Sequence, residues 1–192
     1  MTSPRPVIAV LAGGSSSRMG RDKATIEVSG RTMLDTILEV AVGVGDPLVV
    51  GPGPVPKGIP RTADLRPGRQ GPLAGLESAL AWASGRDVVL LAVDQPFLRS
   101  QTIAHLLGEA GDAVVPHAEG WLQVTCAVYR AACLAKARAS LDGGERSLLA
   151  ILDRVDTRVV EQPTWRRWGE DGRSWFSVDT PDRLAEGLAR YP

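Results

Sequence analysis

The stretch Val7-Ile8-Ala9-Val10-Leu11-Ala12-Gly13-Gly14-Ser15-Ser16-Ser17-Arg18-Met19-Gly20-Arg21-Asp22-Lys23 decides how the rest of the chain is read. Val7 to Ala12 is a short apolar run, partly β-branched, that stops at Gly13-Gly14, the pattern of a buried strand feeding a loop. From Leu11 to Lys23 the chain carries three glycines, three serine hydroxyls and three cationic side chains. Glycines let backbone N–H groups come close to an anion, and arginine and lysine neutralise phosphate charge. The loop therefore has the composition of a phosphate cradle, with a plain basic surface loop as the competing reading. No Gly-Lys-Ser/Thr closes it and Gly-x-Gly-x-x-Gly is absent, which sets aside a Walker loop and the dinucleotide fingerprint.

Working outward, Met33 to Val44 has helical spacing and Leu48 to Val50 reads as a short strand. The Gly-, Pro- and Arg-rich segment from Gly51 to Gly71 reads as a long loop inside the domain, of the kind that is commonly functional. Leu73, Leu76 and Leu80 then predict a helix started by Pro72 and stopped at Ser84-Gly85. Asp87 to Val93 is almost wholly apolar, as a central strand covered on both faces must be, and it runs into Asp94-Gln95-Pro96. Further strands are expected at Ala113 to Val115, Gln123 to Tyr129, Thr157 to Val160 and Trp175 to Val178. Helices are expected near Ser100 to Leu107, Ala131 to Leu141 and Ser147 to Leu152. Thr180 is placed to cap a last helix that begins at Pro181, with Asp182 in its first turn. Strands alternating with helices predict an α/β fold, a Rossmann-like three-layer sandwich with a mostly parallel central sheet. Such sheets bind ligands beyond the carboxyl ends of their strands, here the loops after Ala12, Val50 and Val93.

The length of 192 residues suits a single domain over 1–192. Twenty-two basic residues balance twenty-two acidic ones, which argues against broad nucleic-acid binding but leaves small anionic substrates open. The run Val7 to Ala12 is too short for a signal core or a membrane span, so a cytoplasmic location without membrane attachment is expected. Cys126 and Cys133 have no metal-site or disulfide spacing and read as core residues. His105 falls in a helical pattern and His117 in a turn, neither with a nucleophile beside it in sequence.

The run from Leu11 to Lys23, with paired Gly13-Gly14 and Asp22-Lys23, resembles the signature of the molybdenum cofactor guanylyltransferases within the wider nucleotidyltransferase superfamily. Gly71-Pro72-Leu73-Ala74-Gly75-Leu76, Asp94-Gln95-Pro96-Phe97-Leu98 and Val178-Asp179-Thr180-Pro181 resemble that family's later motifs, in the same order. The resemblance spans essentially the whole chain and implies the nucleotide-diphospho-sugar transferase type of the α/β fold. It implies that Leu11, Ala12 and Gly13, beside Gly14, meet the nucleotide through the backbone, that Lys23 holds its phosphates, and that Asp64 contacts the nucleoside. It further implies Mg²⁺ as cofactor, with Asp94 as its ligand. A carboxylate at the end of a buried strand suits that ion, although capping the turn before Pro96 is an alternative role.

Gly51 stands where this family often has a nucleoside-binding Asn, and Ser177 and Asp179 stand where many members have two Asn residues. Asp179 is a candidate second metal or acceptor contact, or else orients the Thr180 cap. Arg146, in Gly143-Gly144-Glu145-Arg146-Ser147, is a candidate for an acceptor phosphate, or else a solvated helix-start residue. Trp165, Trp168 and Trp175 suggest either pterin stacking or, more commonly, a small hairpin closed over the core.

The implied reaction has a phosphomonoester of molybdopterin attack the α-phosphorus of GTP in line, with pyrophosphate leaving. That nucleophile is already ionised near neutral pH, so no catalytic base is required, and Lys23, Arg18 and the metal on Asp94 supply charge neutralisation. GTP and molybdopterin are then the small-molecule substrates, with transient contact to other molybdenum cofactor enzymes. CTP or a sugar or polyol phosphate in place of these, and a nucleotide-binding regulatory protein without catalysis, are the rival readings.

Overall fold

The computed structural model describes residues 4–13, 23–28, 30–53, 55–68 and 70–191, with Lys23 through its backbone alone. Its strands are β1 (Val7–Leu11), β2 (Glu27–Val28), β3 (Arg31–Thr32), β4 (Asp46–Val50), β5 (Arg61–Thr62), β6 (Val88–Ala92), β7 (Ala113–Ala118), β8 (Trp121–Leu122), β9 (Cys126–Tyr129) and β10 (Thr157–Val160). Its helices are α1 (Met33–Val44), α2 (Gly71–Ala83), α3 (Ser100–Gly108), α4 (Cys133–Asp142), α5 (Leu149–Leu152), α6 (Gln162–Arg167) and α7 (Pro181–Arg190). The main sheet has the order β10-β7-β9-β6-β1-β4-β5, with β8 added to β7.

β6, β1, β4 and β5 are parallel to one another, whereas β9 runs antiparallel to both β6 and β7. β7 therefore points the same way as β1 and β6, and β10 is parallel to it. A mostly parallel sheet buried on both faces needs strands that are apolar throughout, and Val88 to Leu91 are fully buried. Side chains of alternate strand residues enter two separate cores. One lies under α1, α3 and the segment after Trp165, and the other lies under α2, α4 and α5. From β1 the chain turns to β4 on one side and, after α2, to β6 on the other, so the β1/β6 boundary is the switch point at which such sheets open a crevice.

Most elements stand where the sequence placed them, but the short strands β2, β3 and β8 are not among those expected, β9 and α5 begin later than Gln123 and Ser147, and further details differ. The segment from Gly51 to Gly71 contains the two-residue edge strand β5, paired with Val49 and Val50 of β4. Trp175 to Val178 is not a strand: a 3₁₀ turn covers Arg173–Trp175, and Phe176 and Val178 are buried by packing without joining the sheet. Trp165 lies on α6, which the sequence reading lacked, so the tryptophans close no hairpin. His117 sits in β7 and not in a turn. The hairpin in this region joins β7 to β8 through Glu119 and Gly120, both at positive φ, as a two-residue turn between strands requires. Among the described residues no helix is long and apolar enough to cross a membrane.

Candidate active site

The carboxyl ends of β1 and β6 lie side by side, with Leu11 in register with Ala92 on one flank and with Val50 on the other. Three loops thus leave the sheet from one edge, after residues 11, 50 and 92. The first two are fastened together. The Ala12 N–H donates to the Val50 carbonyl at 2.9 Å, and the Gly53 N–H donates to the Ala12 carbonyl at 3.0 Å. Gly51, at φ +111°, donates its N–H to the Thr62 carbonyl, and a Cβ there would stand 2.7 Å from the Ala12 oxygen. The backbone turn that leaves β4 thus requires glycine at this position.

Between these loops and the start of α2 lies a cleft of about 500 Å³, whose walls include Leu11, Gly13, Gly51, Asp64, Gly71 and Pro72. α2 comes very close to β1 here. A Cβ on Gly75 would lie 2.6 Å from Leu11 Cδ2, so the Gly-Pro-Leu-Ala-Gly sequence serves close packing of helix on strand as well as the helix start. Asp64 stands at the exposed rim, and partial loss of water pushes its carboxyl above the usual aspartate range. Of the residues expected to meet the nucleotide, Leu11, Gly13, Gly51 and Asp64 are brought together in this cleft. Ala12 is fully buried beneath it, with its amide committed to Val50. Gly14 and Arg18 lie outside the described residues, and Lys23 opens a 3₁₀ turn, Lys23–Thr25, that packs against α1. Sequence reasoning missed Pro52, Gly68 and Gln70 as parts of the wall. They sit in a loop with no periodicity to mark which residues face inward.

Asp94 does not line that cleft; it follows β6, across β1 from Asp64. Its backbone carbonyl accepts the Val178 N–H at 2.8 Å, which brings the segment carrying Asp179 alongside the end of β6. Asp179 is half-buried, with the Ser177 hydroxyl 3.5 Å from its carboxylate. The Thr180 side chain accepts from the Arg183 N–H at 3.2 Å and caps α7. Asp94 and Asp179 offer carboxylate oxygens from adjoining segments, the hard donor type that Mg²⁺ takes together with water and phosphate oxygens. Two protein carboxylates suffice for such an ion, and among the described residues no group of three or more His, Cys, Asp or Glu side chains is assembled.

Arg146 is exposed, and its guanidinium donates to the carbonyls of Leu141 and Glu145 at the end of α4. Its own carbonyl accepts the Leu73 N–H at 3.3 Å, which ties this loop to the first turn of α2. The tryptophans belong mainly to the core. Trp165 and Trp175 are buried and meet edge to face at 4.8 Å, and Trp168 lies flat on His105 at 5.0 Å. Cys126 and Cys133 are both fully buried, and burial pushes each thiol up to about 12.

This architecture, with a glycine-lined cleft beyond the carboxyl ends of β1 and β4 and carboxylates across β1 from it, is that of a nucleotide-binding transferase. The fold is shared at a TM-score of 0.81 with molybdopterin-guanine dinucleotide biosynthesis protein A from Archaeoglobus fulgidus. That structure is 23% identical, with 96% of this chain and 97% of that one covered. It is also shared, at a TM-score of 0.69 and 21% identity, with 2-C-methyl-D-erythritol 4-phosphate cytidylyltransferase from Thermus thermophilus, over 98% of each chain. Residues 8–158 match the model of the MobA-like NTP transferase domain, and the chain belongs to that family of nucleotidyltransferases. A probable molybdenum cofactor guanylyltransferase from Nostoc sp. is 34% identical, with 92% of this chain and 87% of the relative covered. A probable molybdenum cofactor guanylyltransferase from Opitutus terrae is 35% identical over 83% of this chain and 86% of its own length. A further neighbour in fold, Rv0371c from Mycobacterium tuberculosis, has been crystallised with manganese; it is 20% identical at a TM-score of 0.66, over 98% of this chain and all of that one.

Proposed function

We propose that this chain, acting as one domain in the cytoplasm, transfers GMP from GTP to the phosphate of molybdopterin and releases pyrophosphate. The observation that carries this reading is the 34% identity, extending over most of both chains, to a relative named as a molybdenum cofactor guanylyltransferase. The cleft beside Leu11, Gly13 and Asp64 receives the nucleoside, and the acceptor approaches from the side of Asp94 and Asp179, with Arg146, beside the start of α2, set to meet its phosphate. A terminal phosphate oxygen of the acceptor forms the new P–O bond at the α-phosphorus as the bond to pyrophosphate breaks. The attacking oxygen carries no proton to remove, so binding geometry and charge do the work, with Arg18 and Lys23 as the cations set against the triphosphate. Asp94 and Asp179 are the residues that would hold Mg²⁺, which when bound neutralises charge on the triphosphate oxygens. Finished cofactor then passes to other molybdenum cofactor enzymes by transient contact.

The test measures pyrophosphate release with molybdopterin and each nucleoside triphosphate at fixed magnesium, with the product identified by mass. GTP is expected to be turned over most efficiently. A preference for CTP overturns the guanylyl assignment, and turnover only with a sugar phosphate overturns the acceptor. Asp94→Asn is expected to fold normally and to lose most of the rate, a cost of about 2–4 kcal/mol in transition-state energy if Asp94 holds preorganised charge. A wild-type rate constant in that variant would remove Asp94 from the reaction.

A further inference from the structure

Glu77 is a carboxylate on α2 whose side chain is only 5% exposed, behind the wall of the nucleotide cleft. Arg66 reaches it from the cleft loop with two bonds, Nε to Oε2 at 2.8 Å and Nη2 to Oε1 at 3.1 Å. A third arm of the same guanidinium donates to Asp142 at the end of α4, at 2.7 Å. Immediately before it, the Leu65 N–H donates to the Ser78 hydroxyl at 3.0 Å. Consecutive loop residues are thus pinned to consecutive residues of α2, directly after Asp64. The opposite wall of the cleft takes its position from the same helix, because Gly75 packs on Leu11. A bidentate guanidinium–carboxylate pair fixes direction as well as distance, and here it is largely removed from water.

We infer that Arg66 and Glu77 are positioning residues that hold Asp64 opposite Leu11 and Gly13, and so set the affinity for a nucleoside triphosphate without touching it. This rests on the reading of the cleft as the nucleotide site. The clasp is assigned to binding and not to the transfer step, because its bonds run from the loop directly after Asp64 to α2 and to Asp142. Removing Arg66 alone would leave Glu77 buried with Arg138, at 3.6 Å, as its remaining ion-pair partner. A loss of folding would then mask the effect. The paired variant Arg66→Met with Glu77→Leu removes both charges at similar volume, a replacement that commonly leaves stability intact.

Three quantities are read on the wild type and the paired variant: the thermal midpoint, amide hydrogen exchange over residues 65–70, and the dissociation constant for GTP without acceptor. The midpoint is expected to stay near that of the wild type while exchange in the loop quickens. GTP binding is expected to weaken about tenfold or more, as small displacements of a recognition group do, with the rate constant at saturating GTP nearly unchanged. Arg66→Lys keeps a charge for Glu77 but not the fork, and it is expected to fall between the two; it carries the same test if the paired variant does not fold. Wild-type GTP affinity in a variant whose loop exchanges faster would overturn the inference, as would unchanged exchange. If the wild type binds another triphosphate in preference to GTP, the guanylyl assignment falls, and the same titration with that nucleotide still decides the role of the clasp.

Discussion

At residue 51 the family resemblance implies that a glycine stands where an Asn is often found; the structure shows what the glycine does there. Its φ of +111° and the 2.7 Å between a would-be Cβ and the Ala12 oxygen leave no room for a side chain without moving the loop after β1. Gly51→Asn is therefore expected to destabilise the fold by about 1–3 kcal/mol, the cost of forcing a non-glycine residue into such backbone. It is also expected to weaken GTP binding instead of restoring a contact. Urea unfolding and a GTP titration check both, and tighter binding would show that the loop can reshape around an amide. Other single residues were legible. Cys126 and Cys133 read as core because no metal or disulfide spacing accompanied them, and both are fully buried. Arg66 was not legible, since nothing in a Gly- and Pro-rich loop shows that one of its arginines turns inward to a helical glutamate.

Elements whose residues repeat with one period came out of the sequence nearly intact, and those held by a few specific contacts did not. Met33–Val44 coincides with its expected limits because helical spacing runs its whole length, and Thr157–Val160 does so on its β-branched composition. α6 is only Gln162–Arg167, too short to display a period, and Phe176 to Val178 buries apolar side chains in an extended segment that pairs with no strand. β5 is two residues at the sheet edge, recognisable only once β4 is beside it. The cap of α7 is a local signal and was legible: Thr180 accepts from Arg183 and Pro181 opens the helix. Thr180→Ala is expected to cost about 1 kcal/mol, the usual worth of such a cap, read as a lower urea midpoint. Because Asp179 adjoins the cap, the same variant is expected to lower the transfer rate more than it alters GTP affinity. Equal effects on both would place the cap outside the acceptor side.

For the molecule as a whole, the α/β class and the edge of the sheet that carries the site followed from strands alternating with helices. The antiparallel insertion of β9 between β6 and β7 did not, since pairing direction depends on connections that periodicity does not encode. Several ion pairs join elements distant in sequence, among them Arg86–Asp46, Arg130–Asp87 and Arg158–Glu109, and one junction responds to pH. His117 on β7 bonds Glu161, just before α6, at 3.0 Å, and that hydrogen bond raises the imidazole above its ordinary value near 6.5. A histidine raised in the folded state adds stability that is fully present below its unfolded pKa and is lost as pH rises through the folded one. Titration followed by NMR is expected to show His117 in the folded protein above 6.5, with Glu161→Gln returning it towards that value; an unmoved midpoint would show that the carboxylate does not hold it. The bond from Val178 to Asp94 joins parts made at very different times during synthesis. The lining of the cleft lies between Leu11 and Gly75, but its walls are fastened to Asp142 and Arg146, so the cleft too waits for the chain through Arg146. The second carboxylate reaches Asp94 only after the segment through Asp179 has emerged and docked. The candidate site is therefore completed only when nearly the whole chain has left the ribosome, and the last segment to dock is the one that reaches Asp94.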